Sequence, residues 1–272
     1  MELSPDRTPT VVFEAGGAAN RSTWALVQPA VGEFAHAVVY DRAGLGRSPR
    51  DPVSRTIRRM ADDLAALLDD LGPGPFVLVG HSAGGAIIRQ AAADRPDRIT
   101  GLVLVDVSDE ASDLLLTSAA RAVEKVAGVV SLALAHTPLM PRLYRWLGEA
   151  LPAQARADLE REGFQPEVFR TLRAQSRTYL RELAAFRENP PELGDIPVTA
   201  VSGVLTGSGM NERIRASANA SHAHRAQQSP SGRHVLARNS GHYVPITDPE
   251  LVTAEIRRLV DGGRDVTGPT AP

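Results

Sequence analysis

The chain has 272 residues, with 30 lysines and arginines against 32 aspartates and glutamates and a formal net charge of −2. That balance gives no electrostatic reason to expect nucleic acid or an anionic membrane as partner, and with no cysteine in the chain disulfides and thiolate metal sites are excluded. The length suffices for a large core without staples, and α/β folds of this size are often one domain. The opening residues, MELSPDRTPT, lack an apolar h-region, so no signal peptide is expected. The longest apolar stretch, Val126 to Ala135, is about half of the roughly 20 residues a membrane span requires, and a cytoplasmic protein is expected.

In chain order, six short runs are nearly continuously apolar and close on small or polar residues: TVVFEAGGA from Thr10, AHAVVYDRAGLGRS from Ala35, PFVLVGHS from Pro75, ITGLVLVDVS from Ile99, IPVTAVSG from Ile196 and GRHVLARNSGH from Gly232. Such runs fit strands buried on both faces, hence a mostly parallel sheet. Helical patterns lie between them. The stretch SRTIRRMADDLAALLDDLG puts Ile57, Met60, Leu64, Leu67, Leu68 and Leu71 on one face, with Gly72 as the stop. Near the C-terminus Asp248 is an N-cap candidate, with Pro249 at the first helical position. Alternating strands and helices predict a doubly wound α/β sheet with right-handed crossovers. Residues 109–195 break the alternation with several helical stretches and no strand. This is too long for a loop and reads as a helical cap over the C-terminal edge of the strands, the other reading being a helical layer packed elsewhere. The core is then 1–108 and 196–272, and the tail GGRDVTGPTAP is expected to fray.

Gly80-His81-Ser82-Ala83-Gly84 lies where a strand ends and a helix starts. A sharp turn there strains the serine backbone, lifts its hydroxyl out of the sheet and admits only small neighbours. The helix beneath offers free N–H groups, and that of Ala83 would face a developing oxyanion. The serine needs a base, and the chain has seven histidines. His81 adjoins Ser82, but its side chain is expected on the opposite side of the turn. His36 and His234 lie in or beside strands and read as packed residues. His136 falls in the inserted segment, and His222 and His224 are two apart and would diverge on a helix, which argues against a metal pair. His242 follows the last strand on a loop, Gly241 before it and a helix start soon after, at the same sheet edge as Ser82; it is the candidate base.

Taken together and in order, FEAGG, YDRAGLGRS, GHSAGG, LVLVDVS and SGHYVPITDPELV resemble the α/β-hydrolase superfamily over about Val11 to Val260. The resemblance implies a Ser–acid–His triad in that chain order. It also implies an oxyanion hole shared between Ala83 and the loop after the first strand, with Gly17 as the donor and Ala18 second. That loop usually begins His-Gly; Ala15-Gly16 stands there instead, so a different anchoring is expected. The family's opening antiparallel hairpin has too few residues ahead of it, and one or both of its strands should be missing. The commonest acid position, just beyond IPVTAVSG, offers nothing until Glu212. A minority of members take the acid from the end of the preceding strand, where this chain has Asp106. Asp106 leads and Glu212 is the runner-up, and an aspartate that merely caps the turn is the other possibility for Asp106.

Asp41, Gly44, Gly46 and Ser48 read as a tight turn. Trp24, Met140, Tyr144, Trp146, Phe164 and Tyr179 are candidates for a pocket lining, Trp24 and Tyr144 foremost, with ordinary packing as the other reading of each. Glu14, a carboxylate ending a buried strand, is expected to accept hydrogen bonds from backbone amides. The expected activity is that of a cofactor-free, metal-free serine hydrolase, a carboxylesterase acting on a small or medium apolar ester. Two other readings stay open: the same triad serving acyl transfer, lactone opening, C–C cleavage or perhydrolysis, and a ligand-binding protein without turnover. Neither substrate nor oligomeric state is legible in the residues.

Overall fold

The computed structural model describes residues 9–266. The opening residues before Pro9 lie outside the described residues. The tail is helical as far as Val266 and lies outside them beyond that point. Six strands form one sheet: β1 (Thr10–Glu14), β2 (His36–Val39), β3 (Phe76–His81), β4 (Ile99–Val105), β5 (Val198–Gly203) and β6 (Arg233–Ala237), in the order β2-β1-β3-β4-β5-β6. Every pairing between these strands is parallel, and no antiparallel hairpin precedes β1 among the described residues. The helices are α1 (Val27–Val31), α2 (Ile57–Leu71), α3 (Gly84–Asp94), α4 (Ser118–Leu134), α5 (Leu139–Leu143), α6 (Arg145–Glu149), α7 (Ala153–Glu162), α8 (Pro166–Ser176), α9 (Tyr179–Ala185), α10 (Glu212–Gln227), α11 (Val244–Thr247) and α12 (Pro249–Val266). Among the described residues no helix is long and apolar enough to cross a membrane.

The continuous apolar runs are explained by burial on both faces. Val11, Phe13, Val77, Val79, Val103 and Val105 pack on one side with residues of α1 and α12. Their alternates Val12, Leu78, Leu102 and Leu104 pack on the other with Met60, Leu64 and Leu68 of α2 and Ile87 and Ile88 of α3. This period-two division puts two helical layers on one sheet. The strand order reverses between β1 and β3, and in such sheets the carboxyl ends of the strands at that reversal open a crevice.

Residues 109–195 hold α4 to α9 and no strand. Their C-terminal half is tied to the core by charge. Arg21, just past the loop after β1, bonds to Asp41 at 2.5 Å and, on α7, to Asp158 at 2.9 Å and Glu162 at 2.7 Å. Arg47 reaches the same two α7 carboxylates. Asp41 holds its own turn together, since the Ser48 hydroxyl donates to its carbonyl and a Cβ at Gly46, where φ is +52°, would lie 2.2 Å from its carboxylate. Burial opposes ionisation of Glu162, but Arg21, Arg47 and Arg161 prevail and bring it down to about 2. The other half is tied at its first residues, where Asp109 and Glu110 pair with Arg89 and Arg225, but along α4 Val123 and Val126 are exposed and Gly128 is the helix's one buried residue.

Candidate active site

Ser82 sits one residue past β3 with φ at +52°, in the left-handed region that costs a side-chain-bearing residue. Its carbonyl accepts from Gly85 and Ser108 N–H, and its N–H donates to Val105. The flanking glycines are required by contact. A Cβ at Gly80 would meet the Gly84 carbonyl at 2.9 Å, and one at Gly84 would meet the Glu14 carbonyl at 2.6 Å. The start of α3 therefore lies directly against the end of β1, with Ala83 at its N-cap.

His242 follows β6, and its loop is pinned from beneath: Val204 and Leu205 N–H both donate to the Ser240 carbonyl, at 2.7 and 2.9 Å. Its Nδ1–H donates to Asp106 Oδ2 at 2.7 Å, which leaves Nε2 with its lone pair. Asp106 follows β4 with φ at +44°. Its other oxygen accepts from Gly203 N–H at 2.9 Å and from the Arg215 guanidinium at 2.6 Å. Burial raises the Asp106 pKa, but His242, His222 and Arg215 outweigh it and hold the carboxyl well below the usual carboxylate range. Glu212 does not take part. It is exposed in the first turn of α10, where a carboxylate suits the positive end of the helix. Arg215, one turn further on, is buried, and nothing in the sequence reading singled it out.

Glu14 meets side chains rather than the expected backbone amides. The Tyr40 hydroxyl and the Arg42 guanidinium both donate to it. Arg42 also donates to the carbonyls of Ala15, Gly16 and Gly17. Across a trans peptide the N–H opposes the C=O, so these contacts turn the N–H groups of Gly16, Gly17 and Ala18 away from Arg42. The loop that lacks the His-Gly start is thus anchored by a buried arginine.

His81 departs from expectation. Its ring lies 4.8 Å from the His242 ring, and Nε2–H donates to the His242 carbonyl at 2.9 Å. It lines a cavity together with Ser82 and His242 instead of lying on the opposite side of the turn. Burial, then the neighbouring His242, pushes its pKa down to about 3, so it is neutral. His222 and His234 are held in the structure. His234 Nε2–H reaches Ser202 Oγ, the Ser202 hydroxyl reaches His222 Nδ1, and His222 Nε2–H donates to Val107. No metal-ligating cluster occurs among the described residues.

Two cavities open onto Ser82. The first, about 200 Å³, is shared by Ser82, His242 and Gly17 and walled by Tyr144, Leu147, Leu159, Phe164, Phe169 and Ile246. The second, about 280 Å³, holds Ser82, Ala83 and Gly17 but not His242, and Arg42, Glu124 and Gln175 line it as well. Tyr144 therefore lines a cavity, as do Phe164 and Tyr179. Trp24 lines neither: it is 1% exposed and packs on Phe13 at 5.0 Å between ring centres, inside the core. Met140 is likewise core, and Trp146 is largely exposed against Tyr243.

Residues 11–255 match the model of the alpha/beta hydrolase family. An AB hydrolase superfamily protein of Gibberella zeae is 28% identical over 94% of this chain and 88% of its own length. Lipase LipV of Mycobacterium tuberculosis is 52% identical over 66 residues, 24% of this chain and 25% of that one. Among solved structures, the epoxide hydrolase CorEH is similar with a TM-score of 0.73 at 21% identity, over 94% of this chain and 92% of that one, a likeness of fold alone. With nine-tenths of its length matched by the family model, the chain belongs to the alpha/beta hydrolase family.

Proposed function

We propose that this hydrolase-family chain is a serine hydrolase that cleaves a small or medium apolar carboxylic ester through an acyl-enzyme on Ser82, with residues 109–195 as its cap. The observation that carries the reading is the convergence of Ser82, strained at the end of β3, and a His242–Asp106 pair on one cavity. His242 Nε2 takes the Ser82 proton as Oγ attacks the ester carbonyl. Asp106 keeps the proton on Nδ1 and stabilises the imidazolium. No hydrogen bond joins Ser82 Oγ to His242 in the resting geometry, and such contacts tighten as substrate seats. Ala83 and Gly17 N–H hold the oxyanion, each such donor contributing about 2.7–4 kcal/mol. His242 then protonates the leaving alcohol, and water repeats the cycle on the acyl-enzyme. Apolar walls around the cavity of Ser82 and His242 favour an apolar ester. A serine in the nucleophile position speaks against alkyl displacement chemistry such as epoxide opening, which in this fold uses a carboxylate nucleophile.

Fluorophosphonate labelling and turnover of p-nitrophenyl esters of graded chain length test the reading. Ser82→Ala should abolish both while the melting temperature is maintained. Full turnover in that variant would remove Ser82 from the mechanism.

A further inference from the structure

The second cavity beside Ser82 contains two polar groups that the fold does not satisfy. Gln175, on α8, is 4% exposed, and its Nε2 finds no acceptor among the described residues. Arg42, also 4% exposed, has its Nη atoms engaged by Glu14 and three loop carbonyls, yet its Nε–H has none. Both side chains line this cavity together with Ser82, Ala83 and Gly17. Buried N–H donors without partners are rare in folded proteins, and a ligand is one way to supply the missing acceptor. The cavity of Ser82 and His242 has one unpartnered buried donor, Asn20 Nδ2, and an unpartnered His81 Nδ1, among walls that are otherwise chiefly leucines and aromatics.

The chemistry assigns the two cavities to the two halves of an ester. His242 has to protonate the departing oxygen, so the leaving group lies on its side of Ser82. His242 lines the first cavity and not the second. The acyl chain therefore extends into the second, where Gln175 and Arg42 present donors. Charge narrows the class further. Arg42 is already paired with Glu14, and Glu124 of α4 lines the same cavity. An anionic acyl chain would lack a free countercharge and would face a second carboxyl group.

Resting on the hydrolase reading above, we propose that this cavity is an acyl subsite that selects acyl chains carrying a neutral, hydrogen-bond-accepting oxygen, received by Gln175 Nε2 and Arg42 Nε. Burial raises the Glu124 pKa, against a bond from Ser176 that lowers it, which weakens the repulsion felt by a neutral chain's oxygen.

Matched p-nitrophenyl esters test this: pentanoate, 4-oxopentanoate, 5-oxohexanoate and the succinate half-ester, each corrected for spontaneous hydrolysis. At least one oxo ester should exceed pentanoate in kcat/KM by about tenfold, about 1.4 kcal/mol, and the succinate half-ester should fall below it. In Gln175→Met, which keeps the length and removes the donor, the oxo-to-plain ratio should fall toward one. Gln175→Glu, which replaces the donor with an acceptor, should invert it. A wild-type ratio near one, a succinate preference, or an unchanged ratio in Gln175→Met would overturn the proposal. Binding to Ser82→Ala separates this from failure of the hydrolase reading: ethyl 4-oxopentanoate or ethyl 5-oxohexanoate should raise its melting temperature more than ethyl pentanoate. Equal shifts overturn the subsite even if esters are turned over. A larger oxo shift without any turnover of esters by the wild type retains the subsite and defeats the hydrolase.

Discussion

β1 ends in Glu14 and β4 is followed by Asp106. Both carboxylates are buried, at 1% and 2% exposure, and each meets a buried guanidinium from another element, Arg42 after β2 and Arg215 on α10. The surroundings then diverge. Arg42 also serves three loop carbonyls, so its pair with Glu14 shapes backbone. Arg215 serves no carbonyl: its other Nη lies 2.9 Å from the Met210 sulfur, and the second oxygen of Asp106 is left for His242. One pair builds the loop proposed to receive the oxyanion, and the other fixes a charge behind a histidine. A carboxylate and a guanidinium at two strand ends thus serve geometry in one place and electrostatics in the other.

The largest expected effect comes from neutralising the second pair. Asp106→Asn keeps the shape but admits the wrong His242 tautomer, a change that costs about 10⁴ in turnover in the serine-protease template. We expect at least a hundredfold loss in kcat with little change in KM, whereas Glu212→Gln stays within a few-fold. Steady-state kinetics on both variants checks this, and the reverse pattern would return Glu212 to the triad.

The two arginines sharpen the contrast. Each of Arg42→Met and Arg215→Met leaves a buried carboxylate unpaired, and a loss of stability of about 3–5 kcal/mol is expected for both. Their kinetics should separate. Arg42→Met releases the loop carbonyls and should lower kcat by about 10²–10³, the size of one lost oxyanion donor. Arg215→Met leaves Asp106 held by Gly203 and His242, and kcat should fall by no more than about tenfold. Equal kinetic losses, measured where both variants are folded, would break the division of roles.

The smallest effect concerns His81, which sits between the two strand ends: a Cβ on Gly16 would lie 3.3 Å from its Nδ1, and its other nitrogen holds the His242 carbonyl. Unfolded, it takes a proton near pH 6.5; folded, it refuses one until about 3. The unfolded chain therefore binds more protons in that window. Stability is complete above pH 6.5 and falls as pH drops toward 3, by at most about 1.4 kcal/mol per pH unit from this group. His81→Gln keeps a donor for the carbonyl and should flatten denaturant midpoints between pH 6 and 4; an unchanged slope would assign the acid sensitivity elsewhere.

All six strands were legible because burial on both faces writes itself into composition as unbroken apolar runs. Ser82 was legible because a strand-to-helix turn this tight tolerates only glycine at positions 80 and 84. His242 was reached by elimination along the chain, and Asp106 by its place at a strand end. Arg215 was not legible, since its role depends on which face of α10 turns inward, and α10 has no apolar stripe to reveal that: its buried residues include Arg215, Ser221, His222 and Arg225. Trp24 could not be told apart as pocket or core for a related reason. An aromatic ring in a connecting segment reads the same whether it faces a pocket or the core, and here Phe13 and Val27 share a core cluster with it. The lining of the two cavities depends on how α4 to α9 settle on the sheet, which local spacing does not encode.

The grip of Arg21 on α7 bears on exchange of parts between relatives. Arg21 lies four positions past Gly17 and bonds at once to Asp41 in the core and to Asp158 and Glu162 in the inserted segment. A foreign segment grafted between β4 and β5 without those two carboxylates would strand Arg21 and Arg47 beside the loop that carries Gly17. New specificity in this scaffold is therefore better sought by changing cavity walls one residue at a time than by transplanting the inserted segment as a module.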